Sequence, residues 1–162
     1  MGQSLERWLK QTSPMSPAAD AMLNLLVASS RVEEGMQKVL RDYSITRRQY
    51  NVLRILRGVY PSGHPRSEIA MRMVDRSPDV TRLVDRLTEI GFVERIRGTK
   101  DKRESIAKLT VKGYELMHTL DPLVRDYIEK EFGGLFTAEE CRELSRLCER
   151  TYANGEAGKL DQ

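Results

Sequence analysis

The sequence predicts a mostly α-helical chain carrying one short β-hairpin, and three observations predict it. Apolar residues recur at helical spacing through most of the 162 residues. Helix-start signals stand at Ser16-Pro17, Thr46-x-x-Gln49, Ser77-Pro78 and Thr137-x-x-Glu140. Two apolar runs, Phe92 to Arg97 and Ser105 to Leu109, read as strands, with the charged turn Gly98-Thr99-Lys100-Asp101-Lys102-Arg103 between them.

Residues 1–15 read as a weakly structured extension, in which Leu5, Trp8 and Leu9 suit one amphipathic turn. A first helix is expected from Ser16 to about Leu40, with Met22, Leu25, Leu26, Val32, Met36 and Val39 on its apolar stripe. The capping box at Thr46 opens a second helix through Leu53, Leu56 and Val59. Tyr60-Pro61-Ser62-Gly63-His64-Pro65 stops it. A short third helix is expected near Ser67 to Met73, and a fourth from Ser77 to Ile90, ended by Gly91. In that fourth helix Val80, Leu83, Val84, Leu87 and Ile90 repeat at core spacing. After the hairpin, Thr110 caps a fifth helix to about Phe132, with a kink expected at Pro122. Gly133-Gly134 ends it, and the last helix runs from Thr137 to about Tyr152, before a Gly-rich polar tail from Ala153.

A helix leading into a basic hairpin is the geometry of a winged helix-turn-helix. The charge pattern agrees. Net charge is only +3, yet Arg95 to Lys108 holds six Lys or Arg against two acidic residues, while Asp121 to Arg150 holds eight acidic against five basic. A localised basic stripe on a near-neutral chain is the footprint of a duplex-DNA binder. The N-terminus lacks the apolar core of a signal peptide and no apolar run has membrane-spanning length, so a cytoplasmic protein is expected.

Other chemistry finds little support. An enzyme needs a nucleophile with its base, paired acids or a phosphate cradle, and none can be argued from these residues. His64 and His118 are far apart with no matching ligand spacing, so neither metal nor cofactor is expected. Cys141 and Cys148 lie seven residues apart. In one helix that separation is about 10.5 Å, beyond disulfide reach, so they are expected to pack as reduced thiols. A winged helix serving as a protein-interaction module is the alternative function. That reading calls for an exposed apolar groove and gives the wing charge no purpose.

The strings Val80-Thr81-Arg82-Leu83-Val84-Asp85-Arg86-Leu87, Gly91-Phe92-Val93-Glu94-Arg95, Asp101-Lys102-Arg103 and Leu109-Thr110-x-x-Gly113 resemble the multiple-antibiotic-resistance regulator (MarR) family of bacterial repressors. The resemblance follows element order from about residue 20 to 152 and is most specific over residues 74–116. It implies a homodimer with interleaved terminal helices, a pseudo-palindromic double-stranded operator, and release by a small anionic or phenolic effector. Its domains would be 1–15 extension, 16–45 dimerisation helix, 46–109 winged helix-turn-helix, 110–152 dimerisation helices and 153–162 tail. The ligand pocket is expected where helices one, two and five meet. Some members sense peroxide through a cysteine in the first helix, and this chain has none there.

The resemblance makes Arg103 the wing arginine and Asp101 the carboxylate that orients it. Arg97, Lys100 and Lys102 are the accompanying phosphate cations. On the recognition helix the outward candidates are Arg76, Ser77, Asp79, Thr81, Arg82 and Arg86. An arginine there suits guanine and an aspartate cytosine. Arg86 is equally placed to pair with Asp85 or Glu89. Arg48 at the start of helix two and Ser67 at the start of helix three are further phosphate candidates.

Overall fold

The computed structural model describes residues 10, 15–75, 79–98 and 105–153, in two compact units, Met1–Thr119 and Leu120–Gln162. The described elements are α1 (Pro17–Arg41), α2 (Arg47–Arg57), β1 (His64–Pro65), α3 (Arg66–Arg72), α4 (Val80–Glu89), β2 (Val93–Arg97), β3 (Ser105–Leu109), α5 (Val111–Ile128) and α6 (Ala138–Ala153).

In the first unit the helix starts follow their local signals. The Ser16 hydroxyl accepts the Ala19 N–H at 3.2 Å, and Pro17 occupies the first turn of α1. Thr46 and Gln49 form the reciprocal capping box of α2, at 2.9 and 3.2 Å. Helix α2 is the core element: Tyr50, Val52, Leu53, Ile55 and Leu56 are all buried. Helix α1 differs, because within it only Leu40 is buried, while Met22, Leu25 and Leu26 stay exposed.

The sheet has three antiparallel strands in the order β1-β3-β2. Val93 faces Leu109 and Arg97 faces Ser105, joining the two expected strands in a hairpin, although β2 starts at Val93 rather than Phe92. Strand β1 corrects the expected loop over residues 60–65, since His64 pairs with Ala107 and Pro65 with Ile106. Two residues carry no alternation to read. What permits the pairing is Gly63, at φ +96°, whose added Cβ would lie 2.4 Å from the Ala107 carbonyl oxygen.

Helix α4 also needs a correction. It begins at Val80, and Asp79 is its N-cap at φ −102° and ψ 25°, making no side-chain cap bond. The first intrahelical bond runs from the Leu83 N–H to the Asp79 carbonyl at 3.2 Å, so Asp79 stands outside the helix. The expected start at Ser77-Pro78 lies outside the described residues. At the other end the Phe92 N–H reaches the Leu87 carbonyl at 2.9 Å and the Gly91 N–H that of Thr88 at 3.0 Å. This is a Schellman cap around Gly91, whose φ of +79° suits glycine. Val80, Val84 and Leu87 are buried, with Leu83 and Ile90 half-buried at the margin of the same stripe.

Residues 109 to 113 join the hairpin to α5. The Thr110 N–H donates to the Phe92 carbonyl at 3.1 Å. Its hydroxyl donates to the Gly91 carbonyl at 2.8 Å and accepts the Gly113 N–H at 3.0 Å. A Cβ on Gly113 would stand 2.0 Å from the Phe92 carbonyl oxygen. Leu-Thr-x-x-Gly is therefore a clamp that ties the end of α4 to the start of α5.

In the second unit α5 runs through Pro122 to Ile128 and continues as a π-helical segment, Glu129–Gly133, where an α-helix to Phe132 was expected. The wider turn brings the Lys130 carbonyl oxygen within 2.5 Å of where a Gly134 Cβ would stand, which is why a glycine closes it. Thr137 caps α6. Its N–H and hydroxyl bind the Glu140 carboxylate at 2.8 and 2.9 Å and hold that carboxyl below its usual range. No residue of α6 is buried, and Leu135, Leu144, Leu147 and Tyr152 are exposed. Cys141 and Cys148 are free thiols, each half-buried.

Candidate nucleic-acid interface

With its apolar stripe buried in the lobe, α4 turns Arg82, Asp85 and Arg86 outward. The Arg82 side chain is 86% exposed, and among the described residues its ion-pair partner is Asp79, with an oxygen at 3.6 Å. An exposed pair at that distance is worth little, so the guanidinium is free to move to another acceptor. Arg86 pairs with Glu89 at 2.9 Å, the structural alternative its sequence position left open. Asp85 receives Arg95 from β2, which ties the strand that leads into the wing to the middle of α4.

Thr81 is only partly exposed, and its hydroxyl accepts a hydrogen bond from Arg66 at 2.9 Å. Arg66, at the start of α3, was not among the sequence candidates. Its one local signal is a cation beside Pro65 at a helix start. Arg66, Ser67, Thr81, Arg95 and Ser105 line a cavity of about 300 Å³ whose floor includes Val84. The fold thus brings together two arginines and three hydroxyls contributed by α3, α4, β2 and β3. Ser67 is exposed and stands in the first turn of α3.

The remaining candidates are more dispersed. Arg48 is 55% exposed, with Nε 3.5 Å from an Asp75 oxygen. Arg97 is exposed opposite Ser105, at the wing end of the hairpin, and makes no ion pair among the described residues. Lys108 pairs with Glu94 at 3.1 Å across the same two strands. Arg76, Ser77, Lys100, Asp101, Lys102 and Arg103 lie outside the described residues. Among the described residues no three His, Cys, Asp or Glu side chains are grouped to hold a metal ion. No described helix is long and apolar enough to cross a membrane.

Known proteins are similar to this chain in sequence and fold. The MarR family model matches residues 45–105, from the start of α2 to the start of β3. YkoM of Bacillus subtilis, named as an HTH-type transcriptional regulator, is 30% identical over 114 residues, spanning 70% of this chain and 72% of its own length. The crystal structure of a MarR transcription factor from Planctomyces limnophilus is 34% identical, with a TM-score of 0.64, over 86% of this chain and 98% of that one. BpsR of Bordetella bronchiseptica, whose DNA binding is regulated by 6-hydroxynicotinic acid, shares the fold at 21% identity and a TM-score of 0.72, over 86% and 98% of the two chains. The winged lobe, the clamp at Thr110 and Gly113 and these likenesses agree: the chain belongs to the MarR family of winged helix-turn-helix transcriptional regulators.

Proposed function

We propose that this regulator works as a homodimer that occupies a pseudo-palindromic double-stranded operator and is released from it by a small anionic or phenolic effector. The observation that carries the DNA reading is α4, apolar on one side and presenting a lightly held Arg82 on the other, beside a basic hairpin. Residues 46–109 form the reading domain. Ser77, Asp79, Thr81 and Arg82 address base edges, while Arg48, Ser67, Arg76, Arg86, Arg97, Lys100 and Lys102 serve phosphates or the neighbouring groove wall. Asp101 orients Arg103 in the wing. Residues 16–45 and 110–152 supply the dimer layer, and the extension and tail flank it. The function is binding in the cytoplasm and repression by promoter occupancy, not turnover of a substrate. The effector pocket is assigned to the residues of α1, α2 and the first turns of α5; the existence of an effector is supported by the likeness to BpsR, whose DNA binding is regulated by 6-hydroxynicotinic acid.

Reading and holding are separable by experiment. With a duplex selected by the full chain from a randomised pool, Arg82→Ala is expected to flatten preference among base variants. Lys100→Ala and Lys102→Ala are expected to weaken all duplexes alike and to reduce the slope of log affinity on log salt by about one each. A Lys100 variant with altered base preference and an unchanged salt slope contradicts this division of roles.

The wing has its own test. Arg103→Ala is expected to weaken the selected duplex by about 1–3 kcal/mol, and Asp101→Ala to do part of the same damage without removing a contact to DNA. If both variants bind like the parent at about 0.15 M salt, near-physiological screening, the wing does not have this role.

A further inference from the structure

Helix α1 grips the first residue of α2 in two ways. The Gln37 side chain accepts the Arg47 N–H at 3.1 Å and donates to the Ile45 carbonyl at 3.1 Å. One turn earlier on α1, Glu33 meets the Arg47 guanidinium at 3.2 Å. The same Nη2 reaches Asp75 at 2.6 Å. Asp75 lies in the connector between α3 and α4, four residues before the α4 cap at Asp79. A single nitrogen therefore joins the long N-terminal helix to Asp75, in the connector that precedes α4.

The chemistry of this pair differs from that of the exposed pairs. The Arg47 and Asp75 side chains are 22% and 28% exposed, whereas those of Arg86 and Glu89 are 63% and 64% exposed. Partial shelter strengthens a charge-assisted bond and makes an unpaired partner costly. Two carboxylates on one guanidinium also neutralise it, so Arg47 is a poor phosphate ligand. Arg48, more exposed and farther from Asp75, is the better one.

We propose that Arg47 is a positioning residue for DNA reading: through Glu33 and Asp75 it couples the placement of α1 to the aim of α4. A small shift of α1 stretches the Glu33 contact, changes where the guanidinium sits and moves the Asp75 connector with it. This rests on the reading of α4 as the recognition helix and adds the path by which the rest of the fold controls it.

The test uses the full chain, a duplex that the parent selects from a randomised pool, and a scrambled duplex of equal length. Arg47→Met and Asp75→Asn are each expected to lower the preference for the selected duplex about tenfold, and the double variant to lose no more than either alone. Binding to the scrambled duplex should keep its salt slope in all three. Glu33→Gln should lower the preference as well, by a smaller factor. The Asp75 result is decisive, because removing an acidic group near DNA tightens binding to both duplexes if only net charge matters. An unchanged or improved preference in Asp75→Asn, additive losses in the double variant, or a salt slope reduced by about one in Arg47→Met overturns the proposal. Arg47→Lys keeps the charge without the forked geometry, and a partial loss is expected. If Arg47→Met fails to fold, Arg47→Lys and Asp75→Asn still decide the question. A parent chain that selects no duplex overturns the reading of α4 itself, and this proposal with it.

Discussion

Deleting residues 137–162 is expected to leave a monomer or an aggregate and to lower affinity for the selected operator by at least about a hundredfold, since two linked half-sites are then read singly. The expectation comes from burial. Within α6 no residue is buried, and within α1 only Leu40 is, although both helices carry apolar stripes. Leu25, Leu26, Leu135, Leu144 and Leu147 are exposed, and Val32 and Cys148 are half-buried. Apolar area of this kind, left uncovered, marks an association surface, and a second copy is its simplest cover. An obligate interface of this type should exceed about 2,000 Å². Sedimentation at micromolar concentration decides the matter. A full-length chain that stays monomeric, or a truncated one that binds as tightly as the parent, rules out the dimeric reader. Replacing Leu144 and Leu147 together by Glu should give the same loss while keeping α6 in the chain, which separates lost packing from lost sequence.

The second large effect concerns the clamp. Gly113→Val is expected to destabilise the winged lobe by about 3 kcal/mol or more, because its Cβ would stand 2.0 Å from the Phe92 carbonyl oxygen and must push strand or helix aside. For a lobe of this size the shift in Tm is about 10 °C or more. Displacing α5 also breaks the bonds from Thr110 to Gly91 and Phe92, so the end of α4 loosens together with the fold. Gly58→Ala is the control. Gly58 caps α2 at φ −61°, and an added Cβ there meets nothing nearer than 3.4 Å. That variant should be neutral or stabilising by up to about 1 kcal/mol. Urea unfolding of the two variants gives the comparison, and equal effects would falsify the clamp.

Much of the fold was legible because its signals are local. The caps at Ser16, Thr46 and Thr137 act across three residues, so residue type and spacing reveal them directly. The α4 stripe follows from the helical side-chain period of 3.6, and the two strands from apolar runs either side of a charged turn. The π-helical segment is not legible in the sequence, because Gly133-Gly134 announces a helix end and carries no signal of the wider turn before it. The described part of α4 starts at Val80, because the backbone of Asp79 departs from helical angles, a departure that no residue type at Asp79 announces.

The candidate interface divides in the same way. Sequence alone determined that Arg82 faces outward, because Val80, Val84 and Leu87 claim the opposite side of one helix. It also determined the place of the basic hairpin, since charge clustering needs no folding to be seen. Only the tertiary structure decided the partners. Arg47 meets Asp75 across 28 positions and Arg66 meets Thr81 across 15, with no periodic pattern linking either pair. Strand β1, two residues long, exists because β3 offers it an edge and Gly63 lets the chains approach. Local free-energy preferences span one or two turns of chain. Contacts between distant residues depend on how whole elements pack, which is why Arg47 and Asp75, on separate elements, come together only in the folded lobe.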